Sequence, residues 1–197
     1  MTRLQWSVFL ANLLAFLLLA VTNPIFDGLN LKTRAWINRT RRPALRPLMV
    51  LTHHLVDVPV MSTQLLAVGL IIGFFLKDWY RATVLVGLVF LQTLIVGVSK
   101  HLSSIDRPPQ VAAHVFMTSG SYPSGHSAIS LSYALLLPTV LRPYLPDPLV
   151  LLMCSVLGGI AVLTAYGRLY LDVHWLTDVL GGWFLAAATY LLGIMLL

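Results

Sequence analysis

Lys100, Arg107, His126, Arg168, His174 and Asp178 fall in three short segments of this chain, and these are residue types that phosphoryl transfer uses. The first segment runs from Lys100 to Arg107 and Pro108. The second is Pro123, Ser124, Gly125 and His126. The third runs from Arg168 through His174 to Asp178. A phosphate ester spreads negative charge over its oxygens, and that charge redistributes as the P–O bond breaks. Lys100, Arg107 and Arg168 can meet it with charge-assisted hydrogen bonds, Arg being suited to bidentate contact. Ser124 and Gly125 precede a predicted helix, so backbone N–H groups and the helix dipole can face the same anion. Gly125 permits close approach and unusual dihedrals. Pro108 and Pro123 stiffen the loops on either side.

His174 and Asp178 are spaced to meet on one face of a helix. A carboxylate on one ring nitrogen fixes the tautomer and leaves the other nitrogen with a lone pair. Such a nitrogen is a nucleophile toward phosphorus, and the cation cluster holds the oxygens of the phosphohistidine that results. His126 can protonate the leaving group and then activate water. The two roles require His174 to begin neutral and His126 to begin protonated.

Those residues need elements to position them, and composition names the kind. The chain has 197 residues, 58% hydrophobic and only 10% charged, with no Glu. A soluble domain carries about 25% charged residues, so this is an all-α polytopic membrane protein, one domain over 1–197. Six apolar stretches approach the roughly 20 residues a spanning helix needs: Leu4–Val21, Val58–Leu76, Ala82–Ser99, His126–Leu141, Pro148–Gly167 and Trp175–Leu197. The first is read as a retained helix rather than a signal peptide, since no convincing small-residue cleavage site follows it. Alternating direction then brings Lys100, His126, Arg168, His174 and Asp178 to one membrane face. Asp178, inside an apolar stretch, is a functional candidate by default. Between the first two spans, Leu29 to Arg42 reads as an interfacial amphipathic helix. Trp36 and Ile37 face lipid there, with Arg34, Arg39, Arg41 and Arg42 elsewhere. The net charge of +6 suits anionic lipid or phosphate. Nucleic acid is a poor partner, because the cations are scattered among apolar segments. Cys154 is the only cysteine, so no internal disulfide forms.

The three segments resemble the motifs of the type 2 phosphatidic acid phosphatase (PAP2) superfamily: Lys-x6-Arg-Pro, Pro-Ser-Gly-His and Ser-Arg-x5-His-x3-Asp. The resemblance covers about residues 82–197, with all spacings matched. It implies a lipid phosphatase of the small bacterial type with six membrane helices. Its substrate is a lipid phosphate or diphosphate such as undecaprenyl diphosphate, phosphatidate or phosphatidylglycerol phosphate. It also implies His174 as nucleophile, Asp178 as its orienting partner and His126 as general acid. On that pattern Lys100, Arg107, Ser124, Gly125 and Arg168 would bind phosphate; the histidine chemistry requires no metal, and no cofactor is expected. The chain departs from the pattern in three places. Gly167 stands where Ser is usual, Pro109 and Gln110 replace a second Arg-Pro, and Asp172 sits where Gly is frequent. Asp172 is expected to point away from the phosphate.

Rival readings use the same residues. A lipid-to-lipid phosphotransferase would depend on a lipid acceptor. A metal enzyme would add Asp106 or Asp172 to His126, His174 and Asp178 as ligands. A non-catalytic protein would only grip lipid headgroups. Vanadium haloperoxidases share the motif pattern but are soluble. Outside the motifs, His53, His54 and Asp57 form a group of which at most one histidine shares a face with Asp57, and an interfacial role is expected. His101 and His114 are expected to meet water, and Met49, Met61 and Met153 to fill apolar space. The pairs Gly158-Gly159 and Gly181-Gly182 are expected to be close helix contacts. The family commonly places its active site outside the cell. Here that face would carry Lys32, Arg34, Arg39, Arg41, Arg42 and Arg46, against Arg3, Lys77, Arg81 and Arg142 on the other. This distribution runs against the positive-inside rule. The outward face of a bacterial inner membrane is still the expectation, because the basic segment can bind anionic headgroups.

Overall fold

The computed structural model of the chain describes residues 2–103, 105–109, 115 and 117–197. Gln110 and His114 lie outside the described residues. Among the described residues there are eight α-helices, in chain order α1 (Arg3–Val21), α2 (Asp27–Thr40), α3 (Arg46–Leu55), α4 (Val58–Phe75), α5 (Trp79–Ser103), α6 (Gly125–Leu141), α7 (Asp147–Tyr170) and α8 (Leu176–Leu196). No strand occurs among the described residues. Local chemistry sets the helix starts. The Thr2 hydroxyl accepts from the Gln5 N–H while the Gln5 side chain accepts from the Thr2 N–H, a reciprocal cap. Asp57 Oδ1 accepts from the Val58 N–H at the head of α4, with Pro59 in its first turn.

Five of these helices, α1, α4, α5, α7 and α8, are long and apolar enough to cross a membrane. Their outer faces carry exposed Leu14, Leu70, Phe74, Phe90, Leu151 and Val162, the surface that lipid solvates. The expected fourth span is not among the five. It is α6, a 17-residue helix with Pro138 inside it. At 1.5 Å per residue it reaches about 26 Å, short of the roughly 30 Å hydrocarbon core. It is also the most enclosed element, packed against α5, α7 and α8.

The core combines large apolar side chains with small residues and paired polar groups, the latter two being what brings helices close where lipid removes the hydrophobic drive between them. Leu65, Ile72, Leu85, Leu136 and Val140 join α4, α5 and α6. Phe16, Val96, Tyr122, Ala128 and Leu185 join α1, α5, α6 and α8 to the loop before α6. Gln92, 1% exposed, accepts from the Ser132 hydroxyl. A Cβ on Gly182 would sit 2.7 Å from the Ser124 carbonyl oxygen and 3.1 Å from Ala128 N. Both are backbone and cannot swing aside. Gly182→Ala is therefore expected to cost about 1–3 kcal/mol and to lower the thermal midpoint in detergent. An unchanged midpoint would mean that α6 and α8 separate freely. Gly158 and Gly159, by contrast, would meet nothing within 4 Å. That pair is not a packing point, because α7 turns that side away from its neighbours.

Cross-links between helix ends fix which ends meet. At one end Tyr80 OH donates to the Leu196 carbonyl and Tyr144 OH to Asp78. At the other, Asn23 and Asn30 side chains both donate to Thr177 Oγ1 at 3.1 Å. The ends bearing Lys100, His126, Arg168 and Asp178 thus share one pole. Asn30 also corrects the reading of α2. Trp36 is 59% exposed, but Ile37 is 1% exposed. Ile37 lies two turns on from Asn30, on the face pinned to α8, so it packs into protein rather than lipid.

Candidate functional site

The third segment forms where α7 stops. Arg168 lies in its last turn, and the chain turns through Leu171–Trp175 before α8 begins. Asp172 adopts φ 60°, the left-handed region that favours glycine. Arg34 of α2 holds it there, Nε donating to Oδ1 at 2.8 Å and Nη2 to Oδ2 at 3.0 Å. Asp172 is thus committed to α2. Arg34→Ala would leave a carboxylate only 3% exposed with Arg41 Nη2 at 3.8 Å. The expected loss is up to about 3–5 kcal/mol. Adding Asp172→Gly, which suits that backbone, should restore much of the thermal midpoint. If the double variant melts no higher than Arg34→Ala alone, the ion pair is not what Arg34 contributes.

His174 does not sit on a helix, contrary to the sequence reading. It precedes α8, and Asp178 reaches back over the helix start to meet it. Asp178 Oδ2 accepts from Trp175 N–H at 2.8 Å and from Ser121 Oγ at 2.5 Å, and lies 3.2 Å from His174 Nδ1. A carboxylate that collects donors places the His174 proton on Nδ1 and the lone pair on Nε2. Arg107 Nη1 lies 3.2 Å from that Nε2. Burial, reinforced by Arg107, Lys100 and Arg168, holds the His174 imidazole well below its ordinary range. It is therefore neutral near pH 7, with its lone pair on Nε2.

The first segment wraps around backbone carbonyls. Lys100 Nζ donates to Gly120 O at 2.8 Å and Ser121 O at 3.3 Å. Arg107 donates to Ser119 O at 2.8 Å, Val173 O at 2.6 Å and Gly120 O at 3.2 Å. Any side chain on Gly120 would run into the Lys100 carbonyl. A cavity of about 430 Å³ opens beside these cations, lined by Lys100, Ile105, Arg107, Thr118, Ser119 and Gly120 among others.

The second segment is the most buried. Ser124 caps α6, its hydroxyl accepting from Ser127 N–H and Oγ–H. Its own N–H is spent on the Asp178 carbonyl at 2.9 Å, which leaves the hydroxyl proton for an anion. Gly125 does not need glycine's left-handed freedom, since no described glycine has positive φ. Its Cβ would meet Val58 and Val96 at 3.3 and 3.4 Å, so close packing explains the residue. His126 Nε2 lies 3.0 Å from His53 Nδ1 and 3.4 Å from Asp57 Oδ1.

Arg168 is 1% exposed, and its Nη1 approaches His53 Nδ1 at 2.7 Å. Its Nε and Nη2 have no hydrogen-bond partner. Buried donors left unsatisfied are costly, and an anion is the ligand that resolves them. Asp178 also keeps an unpartnered Oδ1. Lys100, Arg107 and Arg168 outnumber it, so this cluster holds net positive charge.

All eight residues expected from the motifs gather at this pole. Two contributors were missed. Ser121 bonds Asp178, and only its place in a small polar run before Pro123 hinted at it. His53 was expected at the interface but is buried on the inner face of α3, while His54 next to it is exposed. The spacing of His53 from Asp57 was its signal. Asp106 is exposed, and its carbonyl accepts from Trp175 Nε1.

The model of the PAP2 superfamily matches residues 81–196. Phosphatidylglycerophosphatase B of Bacillus subtilis is 29% identical over 160 residues, covering 77% of this chain and 75% of its own. An undecaprenyl-diphosphatase of Sulfolobus acidocaldarius is 27% identical over 190 residues, covering 89% and 84%. The crystal structure of a transmembrane PAP2-type phosphatidylglycerolphosphate phosphatase from Bacillus subtilis superposes with a TM-score of 0.83 at 26% identity, covering 95% of this chain and 94% of that one. Aquifex aeolicus LpxE shares the fold, with a TM-score of 0.68 at 23% identity over 85% of this chain and 95% of its own.

Proposed function

This chain belongs to the PAP2 superfamily, and from that premise we propose that it is a membrane phosphatase working on a lipid phosphate or diphosphate through a phosphohistidine. One observation carries the reading. His174 is oriented by Asp178 at Nδ1 and faces Arg107 at Nε2, at the same pole as Arg168, whose Nε and Nη2 are unpartnered. A phosphate seated there takes the Arg107 and Arg168 donors, which frees the Nε2 lone pair. Nε2 attacks phosphorus, and the N–P bond forms as the P–O bond to the lipid breaks. His126 gives its proton to the departing oxygen. His126 then takes a proton from water, whose oxygen attacks phosphorus. The N–P bond breaks, and inorganic phosphate and neutral His174 result. The positive pocket stabilises the charge developing on the equatorial oxygens in both steps. Each step is complete with the chain's own residues, so excess chelator should leave the rate unchanged.

In this reading the protein crosses a bacterial inner membrane six times, with α6 as the enclosed short crossing. α2 lies along the surface with Trp36 toward lipid, and the site faces outward. In a Cys154→Ser background, a cysteine at Thr118 should label from outside intact cells and one at Asp147 should not. The reverse pattern would turn the site inward. The relatives' names give the substrates to try first: phosphatidylglycerol phosphate and undecaprenyl diphosphate, with phosphatidate and a lipid A phosphate beside them. Purified protein should release phosphate from at least one. Release from none, with headgroup binding retained, would reduce the pocket to a lipid-binding site.

A further inference from the structure

His53 is a buried titratable side chain that this mechanism leaves unused. It projects from α3 into the pole of the bundle, 7% exposed. Its Nδ1 lies 2.7 Å from Arg168 Nη1 and 3.0 Å from His126 Nε2. A guanidinium has donors and no acceptor, so His53 Nδ1 must accept, and the His53 ring proton sits on Nε2. The same lone pair faces His126 Nε2. The other groups within reach of that nitrogen are the His53 carbonyl at 3.2 Å and Asp57 Oδ1 at 3.4 Å, both acceptors. Three acceptors around one nitrogen fix it as the N–H of His126. Burial and then Arg168 push the His53 imidazole down to about 4, so it stays neutral and accepting near pH 7.

We infer that His53 is a positioning residue for His126, holding its Nε2–H so that Nδ1 is the atom that exchanges a proton with the leaving group and with water. The inference rests on the phosphatase reading above. It gives each catalytic histidine its own orienting acceptor, Asp178 for His174 and His53, helped by Asp57, for His126. It also links the general acid to the phosphate grip, because one nitrogen of His53 meets both His126 and Arg168.

A leaving-group comparison tests it. The kcat/KM for release from phosphatidate, whose alkoxide needs a proton, is set against that for p-nitrophenyl phosphate, whose phenolate leaves without one. This parameter covers the steps through leaving-group departure. General acid catalysis is worth about 10²–10⁴-fold. His53→Ala is expected to lose about 10²-fold on phosphatidate and at least tenfold less than that on the aryl ester. His53→Asn, which offers Oδ1 where Nδ1 stood, should recover most of the phosphatidate rate. An equal loss on both esters in folded His53→Asn protein, or no loss on either in His53→Ala, overturns the role. Wild-type protein inactive on every phosphate ester would instead remove the phosphatase reading, and this inference with it.

Discussion

A His174→Ala protein, folded and inserted in the membrane, is expected to release phosphate from its lipid at least about 10³-fold more slowly than wild type, the scale seen when a catalytic nucleophile or its partner is removed. The alanine deletes the Nε2 proposed to bond phosphorus, and no neighbour replaces it. His126 is turned toward His53 and Asp57. Lys100 and Arg107 are donors only. Lipid binding should survive, because those cations and Arg168 remain in place. The loss should therefore appear in kcat, with KM little changed. Turnover within tenfold of wild type would remove His174 from the reaction.

Asp178→Asn is expected to lower kcat by about 10³–10⁴-fold, the scale known for neutralising the orienting carboxylate of a catalytic histidine. Asp178 is fully buried, and Oδ2 collects the Ser121 hydroxyl, Trp175 N–H and His174 Nδ1. An asparagine can keep these hydrogen bonds through its one oxygen. What it loses is charge. A phosphorylated His174 that keeps its Nδ1–H is cationic, and the carboxylate stabilises it where an amide does not. The transition state toward it should rise in energy while the resting geometry persists. The substitution should therefore leave the thermal midpoint nearly unchanged while activity collapses. If activity falls less than tenfold, Asp178 serves as a helix cap and no more.

How much of this was legible in the sequence depended on the range of the signal. That the residues of the three segments meet was readable because each motif is local, and its neighbours are tied together by a turn or a helix start. Spans were readable wherever an apolar run was long. α6 was harder, because a helix enclosed by others needs no lipid-length apolar stretch and tolerates Ser127, Ser130, Ser132 and Pro138. The His174–Asp178 contact was expected from helical spacing. It arises instead because Asp178 folds back over the start of α8, a geometry that spacing alone does not separate from the other. Ile37 was misplaced because amphipathicity says which residues share a face, not whether protein or lipid lies against it. His53 contacts His126 and Arg168 across long stretches of chain, a contact no local pattern encodes. The close approaches at Gly120 and Gly182 depend on backbone from other elements in the same way.

The most direct test of the account is to trap the covalent state. Wild-type protein is mixed with ³²P-labelled lipid substrate, quenched in base within milliseconds and digested. The label should be base-stable and acid-labile, as a phosphoramidate is. It should map to the peptide carrying His174 and accumulate further in His126→Ala if that variant forms the bond but cannot hydrolyse it. Active enzyme that never acquires such a label, or acquires it on a residue other than His174, would contradict the account.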